Sequence, residues 1–391
     1  MKSFLNKIKG RGKSSALSTS GEVGAITEDQ IKKVLSNVID PDFKKDIVTL
    51  GFVRNLKIEH GKEGSDISFD INLTTPACPI KEKFREDATF QVKTIPGVKT
   101  VNIKMTADTV GSKTSGSSTG TALSGIKNII AVASGKGGVG KSTTAVNLAY
   151  ALKAAGSKVG ILDADICGPS IPKMTGVLNP EEMDGNFVVP PSKDGISMIS
   201  CSMFKKDGSA NILRGPMAAS MITQFLTQVK WGDLDYLIID YPPGTSDIQL
   251  TLSQVCNITG AVLVTTPQEV ATIDCEKAAQ MFNTLNVPVI GIIETMSYFE
   301  PKEGEKYYIF GKGGARRVAD KFGIPVLGEI PIEEDVTQTC DQGKALVTDK
   351  PTSKAAKAYT ESAGSVARNL SVLHMENDMA LESFSLKWRS K

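Results

Sequence analysis

The sequence predicts an α/β protein in two parts: a small α+β domain, then a larger domain with a mostly parallel sheet covered by helices on both faces. Three observations predict it. Short, near-continuous Val/Ile runs (Ile129 to Ala133, Val159 to Leu162, Tyr236 to Ile239, Ala261 to Thr265, Val287 to Ile293) alternate with helical patterns, which is how strands buried on both faces read. Gly111 to Ser124 turns to Ser, Thr and Gly with almost nothing apolar, the composition of a flexible linker. A glycine-rich turn, Gly135 to Thr143, sits between the first run and the helix-like Ala145 to Ala154, at a strand carboxyl end, where open α/β sheets bind ligands.

In chain order, residues 1–24 read as a basic arm. Met1 to Ser20 carries Lys2, Lys7, Lys9, Arg11 and Lys13, many serines and no acid, which fits a flexible arm of a cytoplasmic protein or a transit peptide for organelle import. It lacks the apolar core of a secretory signal, and no run approaches the ~20 apolar residues of a membrane span. Residues 25–108 form the small domain. Thr27 with Gln30 makes a capping box, and Ile31, Val34, Leu35 and Val38 follow at helical spacing. Extended stretches at Val48 to Ile58, Asp66 to Leu73 and Val98 to Met105 flank a helical Glu82 to Val92.

The linker occupies residues 109–124 and the large domain residues 125–374, closed by a helix over Ala355 to Leu373. In the tail, residues 375–391, Met375, Met379, Phe384 and Trp388 fall near helical spacing beside Lys387, Arg389 and Lys391. The acids and amides Glu376, Asn377, Asp378 and Glu382 favour a frayed or docked tail over a membrane-seeking one.

A chain of 391 residues, 40% apolar, is long enough for two domains and a well-buried core. Its net charge of +2 gives no strong whole-surface pull to nucleic acid or membrane. The six cysteines (Cys78, Cys167, Cys201, Cys256, Cys275, Cys340) are scattered with no C-x-x-C, a reduced intracellular pattern. Two histidines, His60 and His374, leave little room for a His-based metal or triad site, so metal-hydrolase and serine-hydrolase readings fall.

Gly135-Lys-Gly-Gly-Val-Gly-Lys-Ser-Thr143 fits G-x-x-x-x-G-K-[ST]. Backbone N–H groups along Gly135, Gly137, Gly138, Val139 and Gly140 can turn inward on a polyphosphate, Lys141 reaches the β/γ oxygens, and Ser142 offers its hydroxyl to Mg²⁺ beside Thr143. Two carboxylates, Asp163 and Asp165, leave a strand tip in Asp-Ala-Asp-Ile-Cys-Gly-Pro; one lies near Mg²⁺, and Asp165 is assigned to the attacking water. Asp240 ends an apolar strand ahead of Pro242-Pro243-Gly244, a magnesium-side aspartate followed by a γ-phosphate switch running to Asp247. These motifs point to a nucleotide hydrolase.

In this order, and with Arg214-Gly-Pro-Met and Thr265-Thr-Pro-Gln, residues 126–347 resemble the Mrp/ApbC branch of the MinD-like ATPases, the iron–sulfur cluster carriers. Asp40-Pro-Asp, Leu50-Gly51 and Thr74-Thr-Pro-Ala-Cys-Pro79 resemble the small domain fused in front of many such carriers. The resemblance implies that Lys136, the extra lysine of a "deviant" loop, reaches across a homodimer interface to the partner's nucleotide. It also implies that Thr295 and Pro331 belong to the nucleotide site, Thr295 where the family usually places a base-contacting asparagine. It implies ATP and Mg²⁺ as cofactors, a [4Fe–4S] cluster as cargo, and an iron–sulfur scaffold and apo-iron–sulfur proteins as partners, with no specific nucleic acid.

One departure weighs against the cluster. Typical carriers show C-x-x-C after the motif matching Glu294 to Phe299, where this chain has Glu300-Pro-Lys-Glu-Gly-Glu-Lys306; cluster irons want thiolates. Cys78, held between prolines on what reads as an exposed loop, is then the candidate ligand or transfer thiol, or a small buried apolar residue. Cys167 falls in the Asp165 loop and serves only if that loop faces a partner. The other four cysteines read as packing, and Gly311-Lys-Gly-Gly314 as a loop. The alternative is a ParA/MinD-like positioning ATPase that binds membrane or DNA according to its nucleotide and carries no cluster.

Overall fold

Thr27 starts the first helix, Glu28–Leu35, through a complete capping box: its N–H donates to the Gln30 side chain at 3.0 Å while its hydroxyl accepts from the Gln30 N–H. The computed structural model describes residues 25–111, 123–166, 168–177, 183–185, 187–204, 215–244 and 247–389. The basic arm and all but the ends of the linker lie outside them.

The small domain is a three-stranded sheet with Gly64–Leu73 in the middle, antiparallel to Val53–Gly61 and parallel to Val98–Ala107. The parallel pairing needs a crossover, supplied by the helix Lys81–Lys93. Phe84, Ala88 and Val92, one face of that helix, meet Ile31, Leu35, Ile67, Phe69 and Ile71 in the core. The first strand begins at Val53 and not near Val48, because the Asp46 carboxylate accepts from the Val48 and Thr49 N–H groups and Gly51 takes φ 70°, folding the run into turns.

The large domain carries an eight-stranded sheet. Its order is Ser192–Lys193, Ile196–Ser200, Val159–Asp163, Leu234–Asp240, Ile126–Ser134, Gly260–Thr265, Val289–Glu294, Val326–Glu329. Every pairing is parallel except the first edge pair. Ile130, Ala131, Leu237, Ile238, Ile239, Val262 and Leu263 are fully buried, as a sheet covered on both faces requires. Helices Lys141–Ala154 and Lys354–Arg389 pack against each other, while Glu269–Thr284 and Gly314–Phe322 form a second pair. The closing helix runs 36 residues, to Arg389, well past the expected Leu373. No helix among the described residues is long and apolar enough to cross a membrane.

The two parts meet through Thr74 to Pro79. Ala77 joins the large core, the Thr75 hydroxyl lies 3.1 Å from the buried Tyr236 hydroxyl, and Arg368 pairs with Asp42 at 3.5 Å. A Cβ on Gly364 would sit 3.2 Å from the Ala77 carbonyl oxygen and one on Gly156 3.7 Å from Pro76. The small domain therefore rests at the end of the Lys141–Ala154 helix farthest from the glycine-rich turn.

Candidate nucleotide-binding site

The Ile126–Ser134 strand feeds the glycine-rich turn, and the turn feeds the Lys141–Ala154 helix. Gly140 caps that helix with φ 81°, and Gly138 takes φ 80°; both lie in the left-handed region that glycine enters without strain. A Cβ on Gly135 would fall 2.1 Å from the Asp274 backbone, so only glycine lets the turn pass beneath the Glu269–Thr284 helix. The first turn of Lys141–Ala154 carries no acidic residue, leaving its N–H groups and dipole for an anion.

Lys141, Asp240, Ser142 and Asp165 converge at this helix start. Lys141 Nζ donates to Asp240 Oδ1 at 2.5 Å and lies 3.5 Å from Asp165 Oδ2. Ser142 Oγ donates to Asp240 Oδ2 at 2.6 Å. Parallel pairing sets Asp240 opposite Asp163, and both are fully buried. Burial raises the Asp240 carboxyl against the opposing pull of Lys141; burial and then the Asp240 charge push Asp163 up to about 8.

Asp163, expected beside Mg²⁺, has both carboxylate oxygens engaged by the surrounding chain. Its Oδ1 accepts from the Asp165 N–H at 3.2 Å, and its Oδ2 accepts from Ser200 Oγ at 2.9 Å and the Ile171 N–H at 3.4 Å. It braces the turn that carries Asp165. Lys136 is half-buried, and its side chain makes no ion pair or hydrogen bond among the described residues.

Beyond Asp240, the Gly244 N–H donates to Ser134 O at 3.3 Å, joining the Pro-Pro-Gly turn to the start of the glycine-rich loop. Gln249 is buried, and its amide donates to Pro242 O at 2.8 Å and to Gly244 O. Gln249 lies two positions past Asp247, beyond the switch read from the sequence. Thr245, Ser246, Cys167 and Arg214 lie outside the described residues.

Beside the loop is a cavity of about 310 Å³, lined by Gly140, Thr143, Thr295, Met296, Pro331 and Cys340 among others. It brings Thr295 and Pro331 beside Gly140 and Thr143 of the glycine-rich turn. Cys340 was expected to be packing. It is half-buried on the cavity wall with its thiol against the Thr143 hydroxyl, and burial and then Asp341 raise it. Gly311 to Gly314 is more than a loop: Gly313, φ 70°, caps the Gly314–Phe322 helix, whose Ala315 N–H donates to Glu294 Oε2 at 2.7 Å.

Cys78 is not brought to this site. It lies at the domain joint, and the 14-residue helix between the two places spans about 20 Å. The sulfur is half-buried against the small core rather than exposed, because the flanking residues are pressed onto the large domain. Burial, and then Asp40 and Asp42, hold its thiol above the ordinary value. Where carriers show C-x-x-C, this chain forms a hairpin, Phe299–Lys302 with Glu305–Tyr307, pinned by Glu300 to the Gly304 N–H at 2.7 Å and to Lys354 at 3.2 Å. Among the described residues no three His, Cys, Asp or Glu side chains cluster to hold a metal ion.

A family model described as NUBPL iron-transfer P-loop NTPase matches residues 125–367, and one described as iron–sulfur cluster assembly protein matches residues 28–105. The chain is 43% identical over 363 residues to the chloroplastic Fe-S cluster assembly factor HCF101 of Arabidopsis thaliana, covering 91% of this chain and 66% of that one; it thus spans about two thirds of the plant protein. It is 42% identical over 354 residues to the iron-sulfur cluster carrier protein of Synechocystis sp., covering 89% of this chain and 99% of the relative. A nucleotide-binding protein from Archaeoglobus fulgidus, solved in complex with ADP, superposes with a TM-score of 0.50 at 43% identity, covering 57% of this chain and 89% of that one. The chain belongs to the iron-transfer P-loop NTPases, carried behind an iron–sulfur cluster assembly domain.

Proposed function

We propose that this protein is an ATP-dependent iron–sulfur cluster assembly and carrier factor, a homodimer that hydrolyses Mg·ATP slowly and passes clusters from a scaffold to apo-proteins. The observation that carries the ATPase half is the convergence of Lys141, Ser142, Asp165 and Asp240 at one helix start. The cluster half is supported by the match of both domains to iron–sulfur families and by the names of the two relatives.

In this reading the backbone N–H groups of Gly135 to Gly140 and the Lys141 ammonium hold the phosphates. The Ser142 hydroxyl and Asp240 carboxylate share one hydrogen bond, the hard-oxygen donor set that suits Mg²⁺; when bound, the ion neutralises charge on the phosphates. Phosphate entry draws Lys141 from its two carboxylates and frees Asp165 to orient water. Asp163 holds the Asp165 turn, and Gln249 holds the switch turn. Val270 and Ile273 are exposed on the helix that covers Gly135, apolar surface beside Lys136 that suits a second copy of the chain. The site of action is the cytoplasm or an organelle.

No C-x-x-C is present, so the cargo needs thiolates supplied jointly. In this proposal they come from Cys78 of two copies, or from Cys78 with a partner's cysteines. Ligation in this reading follows opening of the domain joint, where the sulfur is half-buried. The test is activation of an apo-iron–sulfur enzyme by the anaerobically reconstituted protein with and without ATP. Activation that depends on Lys141 supports the proposal; none in either condition contradicts it.

A further inference from the structure

We propose that Thr295 is a positioning residue of the phosphate loop, setting the direction of the Gly140 N–H, and not a reader of the nucleotide base. The inference rests on the nucleotide reading above. Thr295 is buried, and its hydroxyl donates to Val139 O at 2.6 Å, with Thr265 O farther away at 3.1 Å. Its own N–H donates to Thr265 O at 2.9 Å, so the residue is tied to the end of the Gly260–Thr265 strand. The Cβ and methyl group lie 3.6 and 3.5 Å from where a Cβ on Gly140 would be. Thr295 therefore spans from the sheet to the loop at the mouth of the base cavity.

The consequence follows from peptide geometry. A trans peptide is planar, with its carbonyl and the next N–H pointing to opposite sides. Holding Val139 C=O toward Thr295 turns the Gly140 N–H away from it. That N–H has no backbone partner among the described residues, and it belongs to the cradle that a polyphosphate would occupy. The flanking glycines make the pin necessary. Gly140, at φ 81°, lies directly after the Val139–Gly140 peptide, and Gly138, at φ 80°, lies one residue before it, so the backbone around that peptide is held less firmly unless a neighbour fixes it. On the other side, the Gly140 carbonyl is fixed by the Thr144 N–H at 2.9 Å and the Thr144 hydroxyl at 2.8 Å. A single hydroxyl proton spent on Val139 is not available to the base, and threonine lacks the paired donor and acceptor of an amide.

A strut that works through the phosphates affects all nucleotides equally; a base reader affects one. The test is calorimetric binding of ADP and of GDP to full-length wild type, Thr295→Val and Thr295→Ser. Thr295→Val is expected to weaken both nucleotides by a similar factor of about five to ten, the worth of one hydrogen bond, and Thr295→Ser to stay within about twofold of wild type. Should the valine chain fail to fold, Thr295→Ala repeats the comparison. Unchanged binding in the valine chain, loss of ADP binding alone, or a serine chain as weak as the valine chain would each overturn the proposal. Wild type that binds neither nucleotide overturns the nucleotide reading and this proposal with it, whereas a wild type that binds with an inert Thr295→Val overturns this proposal alone.

Discussion

Lys141 and Asp240, 99 positions apart in sequence, form a buried ion pair at 2.5 Å, with Ser142 on the second carboxylate oxygen. Parallel register brings the carboxylate to the helix that carries the lysine, and the pair couples the stability of this end of the sheet to the phosphate site.

Lys141→Ala is expected to abolish nucleotide binding by calorimetry. It also strands a fully buried Asp240 carboxylate, which costs about 3 kcal/mol when one partner of a buried pair is removed. Denaturant unfolding without nucleotide measures that loss. Retained ATP affinity would place the phosphates elsewhere.

Asp165→Ala should leave ATP binding within a few-fold of wild type, since its carboxylate lies 3.5 Å from Lys141 at the edge of the cluster. Turnover should fall by about a hundredfold or more, the scale of a lost water-orienting group. Phosphate release in a single turnover measures it, and an undiminished rate would assign the water to another residue.

Tyr236→Phe removes the hydroxyl that meets Thr75 across the joint and is expected to cost about 1 kcal/mol. Gly364→Val presses side-chain atoms onto Ala77 and Pro79 and should loosen the joint further. Faster limited proteolysis between the domains, with ADP affinity unchanged, is the expected result; a lost nucleotide affinity would mean the joint and the loop act as one unit.

Cys78 gives a pH dependence of definite sign. Its ordinary value is 9.0 and burial raises it in the folded chain, so the folded state keeps the proton to higher pH than the unfolded state. Its contribution to stability is present below pH 9 and is lost as pH climbs past that value. Alkylation of Cys78 at pH 8 should therefore be slower in wild type than in Gly364→Val, because the thiolate is the reacting form. Equal rates would show that the joint does not shield the sulfur.

The Val/Ile runs revealed the central strands because their burial on both faces leaves a continuous apolar signature, and Gly135 to Thr143 revealed the loop because phosphate binding needs glycines at fixed spacing. The strand Ile196–Ser200 and the edge strand Val326–Glu329 were not legible, because serines interrupt the first and Gly328 and Glu329 cut short the second, so neither leaves a continuous apolar run. Asp240 was readable from its strand end, but its contact with Ser142 depends on register. Cys340 and Thr295 show the same limit. Whether a cysteine lines a cavity or a hydroxyl pins a distant carbonyl is decided by packing between segments far apart in sequence, which local pattern does not encode. Cys78, read either as an exposed thiol or as a small buried residue, falls between the two, because the loop that its prolines fix is pressed against a second domain.

Bound iron and sulfide per chain, after anaerobic reconstitution of wild type and Cys78→Ala followed by gel filtration, test the cluster claim most directly. The account predicts about four irons per pair of wild-type chains, as a shared [4Fe–4S] cargo requires, and background iron in the alanine variant. Background iron in both proteins, or full loading without Cys78, would contradict it.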